Sequence, residues 1–243
     1  MRKIIIFIFV VLTFLCSCSK ISETEEYWVN KSNALWDGYK YTDPEKAIKY
    51  LDNAIKLKPD YAEAYGVRGN AYDDLGQHQR AIEDYDEAIR LKPDLALAYN
   101  NRGSAYAKLG QYQRAVEDHN KAIRLKPDDA LAYYNRGNAY FYLGQYQRAI
   151  EDYNKAIRLK PDDADAYNNR GFAYSTLGQK QRAIEDYNKA ISLKPDDADA
   201  YNNRGGAYLV QGDNKLGCLD LQKVCAMGNC KYLEIAKSKG LCS

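Results

Sequence analysis

The chain has 243 residues, 28% of them charged and 46% hydrophobic, and its 35 basic and 33 acidic residues leave a formal net charge of +2. That balance supplies no basic stripe of the kind nucleic-acid binding requires, so no nucleic-acid partner is expected. Length alone suggests one or two globular domains, but internal repetition changes what length counts.

At the N-terminus, Arg2 and Lys3 precede an apolar run over residues 4–15, broken only by Thr13 and followed by Cys16, Ser17 and Cys18. Twelve residues at ~1.5 Å each span only ~18 Å, short of a ~30 Å hydrocarbon core. The segment therefore reads as an export signal rather than a membrane span. Without Arg2 and Lys3 the remaining chain carries 33 basic and 33 acidic residues. Leu15-Cys16-Ser17-Cys18 resembles the bacterial lipobox, with leucine three residues before the modified cysteine and a small residue just before it. The resemblance implies that residues 1–17 are removed, that Cys18 is lipidated and carries palmitate-type chains, and that residues 18–24 form a lipidated linker. Several acyl chains, each contributing ~0.8 kcal/mol per buried CH₂, would hold the protein at a membrane. Ser19 stands where enteric bacteria place aspartate to retain a lipoprotein in the inner membrane. The expected location is thus the bacterial cell envelope, with the periplasmic face of the outer membrane favoured. Ordinary secretion, with Cys16 and Cys18 both discarded, is the alternative.

From residue 62 onward the chain repeats with a period of 34, and the copy before it is about three residues longer. Full copies occupy 62–95, 96–129, 130–163 and 164–197; a diverged first copy covers 25–61, and a sixth, 198–231, drifts after Gly212. A fixed period of this size marks a solenoid whose units cannot bury their apolar faces alone. Numbering the unit from Ala130, Tyr133, Arg136, Gly137 and Tyr140 share one face of a first helix that Gly144 ends. Ala149, Tyr153, Ala156, Ile157 and Leu159 define the face of a second helix, stopped before Pro161. Small residues recur at position 8 (Gly69, Gly103, Gly137, Gly171, Gly205) and position 20 (Ala81, Ala115, Ala149, Ala183), where two helices must approach closely. This pattern of Tyr, Gly, Tyr, Ala, Tyr, Ala and Pro resembles the tetratricopeptide repeat. The resemblance implies an all-α, right-handed α-solenoid of about six helix-turn-helix repeats, closed by a C-terminal, cysteine-containing capping helix and tail over residues 230–243. It also implies a docking surface rather than a reaction site.

One departure from the family pattern carries a mechanism. Position 7, commonly leucine, is Arg68, Arg102, Arg136, Arg170 and Arg204, and position 23 of the same copies is Asp84, Asp118, Asp152, Asp186 and Asp220. The first copy has Lys31 and Tyr50 instead. Joint presence and joint absence predict structural ion pairs, within each unit or between neighbours, that fix the register of the array.

Positions 2, 5, 9, 12 and 13 form the other stripe of the first helix, which in this family lines the concave groove. Here the copies diverge. Asn100, Asn168 and Asn202, with Asn138 at position 9 and further amides at position 6, resemble the asparagine ladder that grips peptide backbones in O-linked N-acetylglucosamine transferases. Tyr134, Phe141 and Tyr142, joined by Phe172 from the next unit, form an aromatic patch suited to anchoring a partner. All eight are the expected peptide-binding residues. His119 and His78 take positions filled by tyrosine in sister copies and read as structural.

In the last copy, Cys218, Cys225, Cys230 and Cys242 in an exported chain point to disulfides. A helical hairpin pairs Cys225 with Cys230 across its turn and Cys218 with Cys242 at its open end; a four-thiolate zinc site is the rival, although the spacing lacks a C-x-x-C knuckle. No Ser-His-acid set, phosphate loop or metal-spaced histidines appear, so no enzymatic activity, cofactor or metal is expected. The sequence thus predicts a lipid-anchored scaffold holding an extended peptide or protein segment in a cell-envelope assembly. A structural spacer or self-associating homo-oligomer is the alternative.

Overall fold

Each of the first five repeats has a weakly amphipathic first helix and a strongly amphipathic second helix, so neither is stable without its partner and the next unit. The computed structural model describes residues 23–38 and 40–243, and among these it contains thirteen α-helices and no strand. They run as α1 (Glu25–Asn33), α2 (Pro44–Leu57), α3 (Ala62–Asp74), α4 (His78–Leu91), α5 (Ala96–Lys108), α6 (Tyr112–Leu125), α7 (Ala130–Tyr142), α8 (Tyr146–Leu159), α9 (Ala164–Thr176), α10 (Lys180–Leu193), α11 (Ala198–Gln211), α12 (Asn214–Ala226) and α13 (Lys231–Ser238). Each helix packs first on its partner in the same unit and then on the neighbouring unit, the contact pattern of an α-solenoid. The signal-like segment and Cys18 lie outside the described residues. No helix among the described residues is long and apolar enough to cross a membrane.

Local chemistry sets the helix ends. Asp129 accepts hydrogen bonds from the N–H groups of Leu131 and Ala132, capping α7, and Asp163 and Asp197 do the same for α9 and α11. After α7 the chain turns through Gly144 at φ 73°, a left-handed conformation that costs a residue with a Cβ but not glycine. Close approach within a unit depends on Gly137, where an added Cβ would lie 2.8 Å from Cε1 of Tyr153. The core of the central units is a seam of Ala, Ile and Tyr, including Ala139, Tyr140, Ile150, Tyr153, Ala173 and Tyr187, with separate clusters toward the two ends.

The arginine at position 7 binds both within and between units. Arg136 Nε and Nη2 donate to the two carboxylate oxygens of Asp152 at 2.7 and 2.6 Å, while Nη1 donates to Asn120 Oδ1 of the preceding unit at 2.6 Å. Arg68, Arg102, Arg170 and Arg204 repeat the fork onto Asp84, Asp118, Asp186 and Asp220. Their third contacts fall on Asp52, Asp86, Asn154 and Asn188. These preceding-unit acceptors were visible as an Asp or Asn recurring at position 25, a signal the pairing argument did not use. Burial pushes the Asp152 carboxyl above its ordinary range, although the Arg136 hydrogen bonds and charge pull the other way. The first unit solves the same problem differently: Lys31 Nζ lies 5.0 Å from the Tyr27 ring and 5.3 Å from those of Trp28 and Tyr50.

At the other end, Cys218 and Cys242 are joined by a disulfide with Cα atoms 5.6 Å apart, and Cys225 and Cys230 by another with Cα atoms 4.0 Å apart. The bridges tie α13 onto α12, and Leu221, Leu233, Ala236 and Cys242 close the terminal core.

Candidate binding groove

The first helices α3, α5, α7, α9 and α11 share one continuous face, and its side chains divide into those used to join the units and those left for a ligand. The amides at position 6 belong to the first group. Asn101 Nδ2 donates to Asn70 Oδ1 at 2.8 Å, Asn135 Nδ2 to Ser104 Oγ at 3.2 Å, Asn169 Nδ2 to Asn138 Oδ1 at 3.0 Å, and Asn203 Nδ2 to Asn168 Oδ1 at 3.0 Å. Each bond crosses from one unit to the one before it, so the row of amides staples the array before it meets any ligand.

This corrects part of the expected site. Asn100 is 1% exposed, its Oδ1 lying 2.9 Å from His119 Nδ1 and accepting from Asn135 Nδ2 at 3.3 Å, so it cannot grip a peptide. Burial wins here because the amide has two partners inside the protein and would lose both by turning outward. Asn138 Oδ1 is likewise taken by the Tyr153 hydroxyl at 2.8 Å and by Asn169, leaving only its own N–H groups for a ligand. Tyr134 is half-buried and its hydroxyl accepts from Asn169 Nδ2 at 3.0 Å; burial pushes its pKa upward. Asn202 differs from its sisters, since its buried Oδ1 has no hydrogen-bond partner. The unit after it offers Lys237 where earlier units offer asparagine.

The aromatic residues are the part of the site that faces outward. Tyr142 is 65% and Phe172 46% exposed. Phe141 lies between them, its ring 5.2 Å from Phe172 and 6.0 Å from Tyr142. Two tyrosines absent from the expected patch complete it: Tyr112 stacks on Tyr142 at 4.9 Å with planes 10° apart, and Tyr146 sits 5.1 Å from Phe141. Both come from the starts of second helices, and only the packing of two helices brings them to this face.

Cavities follow one another along it, among them one of about 240 Å³ bounded by Gly66, Asn70, Tyr85 and Asn101. Of the others, the first, about 440 Å³, includes Trp36, Asp73, Asp74, Tyr85 and Lys108; the second, about 320 Å³, includes Lys108, Tyr112, His119 and Tyr142. The third, about 300 Å³, lies between Tyr134, Phe141, Tyr153 and Phe172. The last and largest, about 790 Å³, is bounded by Phe172, Asn202, Val210, Tyr232 and Ile235 beside α13. At the first cavity Asp73 meets His78 Nδ1 at 2.7 Å and pairs with Lys108 Nζ at 2.6 Å, and Asp74 accepts from the Tyr41 N–H at 2.8 Å. Among the described residues, no group of three or more His, Cys, Asp or Glu side chains is placed to hold a metal ion.

Stacked helix pairs presenting a pitted, partly aromatic face of first helices define a protein-interaction solenoid. Two family models match it, the TPR repeat at residues 69–110, 103–144 and 137–178 and the tetratricopeptide repeat at residues 164–197. The crystal structure of MamA is 31% identical to the chain, covering 70% of it and 96% of MamA at a TM-score of 0.61. MamA from Desulfovibrio magneticus RS-1 is 26% identical over 71% of this chain and 96% of its own, with a TM-score of 0.63. PilW, a type IV pilus biogenesis factor, shares the fold at 20% identity, with 83% and 92% covered and a TM-score of 0.76. No curated protein sequence matches the chain. The chain belongs to the tetratricopeptide repeat family.

Proposed function

We infer that this protein is a binding scaffold whose groove holds an extended protein segment, with its side chains entering successive cavities between units. The observation that carries the reading is the outward aromatic cluster of Tyr142, Phe141 and Phe172, flanked by cavities whose linings include Asn135, Asn138 and Asn169. Exposed aromatics on a rigid surface are the side chains that most often dominate binding energy. A preformed groove also loses little entropy when a chain settles into it.

Tyr142→Ala combined with Phe172→Ala is expected to weaken groove-binding peptides selected from a random display library by on the order of 10-fold or more. Both rings stack on a neighbouring unit, so a modest loss of stability of about 1 to 3 kcal/mol is expected, short of unfolding. Isothermal titration checks the first expectation and thermal melting the second; unchanged affinity of every selected peptide would remove the groove reading.

In the same proposal, acylated Cys18 tethers the array to the cell envelope through residues 18–24. Cys18→Ser is expected to abolish incorporation of labelled palmitate and to release the protein from the membrane fraction. Persistent labelling would show that the anchor lies elsewhere.

A further inference from the structure

Helix α7 carries two sets of aromatic rings, and the protein uses them differently. Tyr133 and Tyr140 lie beside the ion-pair ladder and are covered by the chain's own cations. Arg136 is 5.5 and 5.8 Å from their centroids, Arg148 is 4.1 Å from Tyr140, and Lys155 is 5.8 Å from Tyr133. The same cover recurs along the array, with Arg102 over Tyr99 and Tyr106 and Arg170 over Tyr167 and Tyr174. The groove-side rings are Tyr134, Phe141 and Tyr142, joined by Phe172 of α9. Their ring contacts are with other rings, and no lysine or arginine among the described residues lies over them.

These four rings line the third cavity, about 300 Å³ in volume, with Asn138 and Asn169, and no charged side chain is among its walls. Tyr153 borders it too but is 1% exposed, so the surface open to a ligand belongs to the other four. Tyr142 gives one face to Tyr112 and leaves the opposite face free, while Phe141 stands at 89° to it. Asn169 Nδ2 donates to Tyr134 and Asn138, so what remains of this amide for a ligand is its oxygen, an acceptor. The charge nearby is negative. Burial is the main cause that raises the Tyr134 pKa, and the Asp165 and Asp163 carboxylates push the same way. Asp163 caps α9 and lies 3.5 Å from Lys160, whereas Asp165 is exposed and pairs with no cation among the described residues.

We propose that this cavity is a recognition pocket for a cationic side chain, lysine or arginine, of the bound segment, its charge lying against the faces of Tyr142 and Phe172 with the Asn169 oxygen and Asp165 beside it. The negative face of an aromatic ring attracts a cation, and more strongly as water is displaced. A carboxylate would be repelled by the same faces and by Asp165. An aliphatic side chain would fill the space but use neither the ring faces nor the carboxylate. The proposal rests on the groove reading and deepens it.

The test uses the purified full chain and small probes. n-Butylammonium and n-propylguanidinium are the side-chain ends of lysine and arginine, and 1-butanol is a neutral control of the same length. With ¹³C-labelled phenylalanine and tyrosine, the cations are expected to shift the Phe172 and Tyr142 ring resonances and to bind at least about 10-fold more tightly than butanol. Phe172→Leu keeps an apolar side chain where sister units carry Ser104 and Gly206, so the fold should hold. Cation binding to it should fall about 5-fold while butanol binding is unchanged. Asp165→Asn should weaken the cations about 3-fold and leave butanol unaffected. Unmoved ring resonances, equal binding of butanol and the cations, or undiminished cation binding to Phe172→Leu overturns the pocket. A second arm replaces each lysine and arginine of a groove-binding peptide with methionine. One such change should weaken binding about 10-fold to the parent chain and only about 2-fold to Phe172→Leu. Peptides indifferent to every such change overturn the pocket while the groove stands. If the cations shift Phe172 but no peptide binds, the groove reading fails and the pocket remains.

Discussion

Replacing Asp152 with alanine is expected to cost about 3 to 5 kcal/mol of unfolding free energy, because it strands a guanidinium whose surroundings were built around that carboxylate. The Arg136 side chain is 18% exposed and that of Asp152 8%, and two of the three arginine hydrogen bonds end on Asp152. Arg136 also lies over the rings of Tyr133 and Tyr140, at 5.5 and 5.8 Å, so it cannot swing to solvent without uncovering them. The remaining contact, to Asn120, joins α7 to the preceding unit and holds the charge in place rather than neutralising it. In a stacked array each unit is stabilised by its neighbours, so damage at this central unit should weaken both flanks. Urea denaturation followed by circular dichroism measures the effect, and an unchanged midpoint would show that the ladder does not hold the array. Arg136→Met with Asp152→Leu supplies the control: the double variant should recover much of the loss, since a buried pair replaced by apolar groups of similar size is often close to neutral.

Removing the outer disulfide by Cys218→Ser with Cys242→Ser should destabilise the C-terminal end by about 3 kcal/mol, from the chain entropy released when a loop of 24 residues is opened. The inner bridge between Cys225 and Cys230 closes a separation of only 5 and should contribute less. Helix α13 has eight residues, too few to persist without docking. Its buried Leu233 and Ala236 cover Leu221, so its release exposes the core of the last unit. Limited proteolysis at Lys231, Lys237 and Lys239 should become fast in the variant, and a thermal melt should lose its terminal stability before the central units unfold. Equal resistance of the two proteins to protease would mean that apolar contacts alone hold the cap.

The legibility of this protein from sequence varied with how many times a feature was repeated. Helix order and the turn glycines could be read because a period of 34 presents the same local chemistry several times, as could the pairing of position 7 with position 23. The single-copy features were harder. Tyr112 and Tyr146 belong to second helices and gave no sign, along the chain, of joining Phe141 and Tyr142. Asn100 looked like its sisters Asn168 and Asn202, and what distinguishes it is His119, nineteen residues away and across a helix pair.

Sequence by itself determined the repeat, its two helices and the choice of residues for the seam, because these follow from 3.6-residue periodicity, glycine at a left-handed turn and small side chains at close crossings. Tertiary structure decided which polar groups are spent within the scaffold and which remain for a ligand. A side-chain amide has the same chemistry on either face of a helix, and only the position of the neighbouring unit fixes whether its hydrogen bonds are already made.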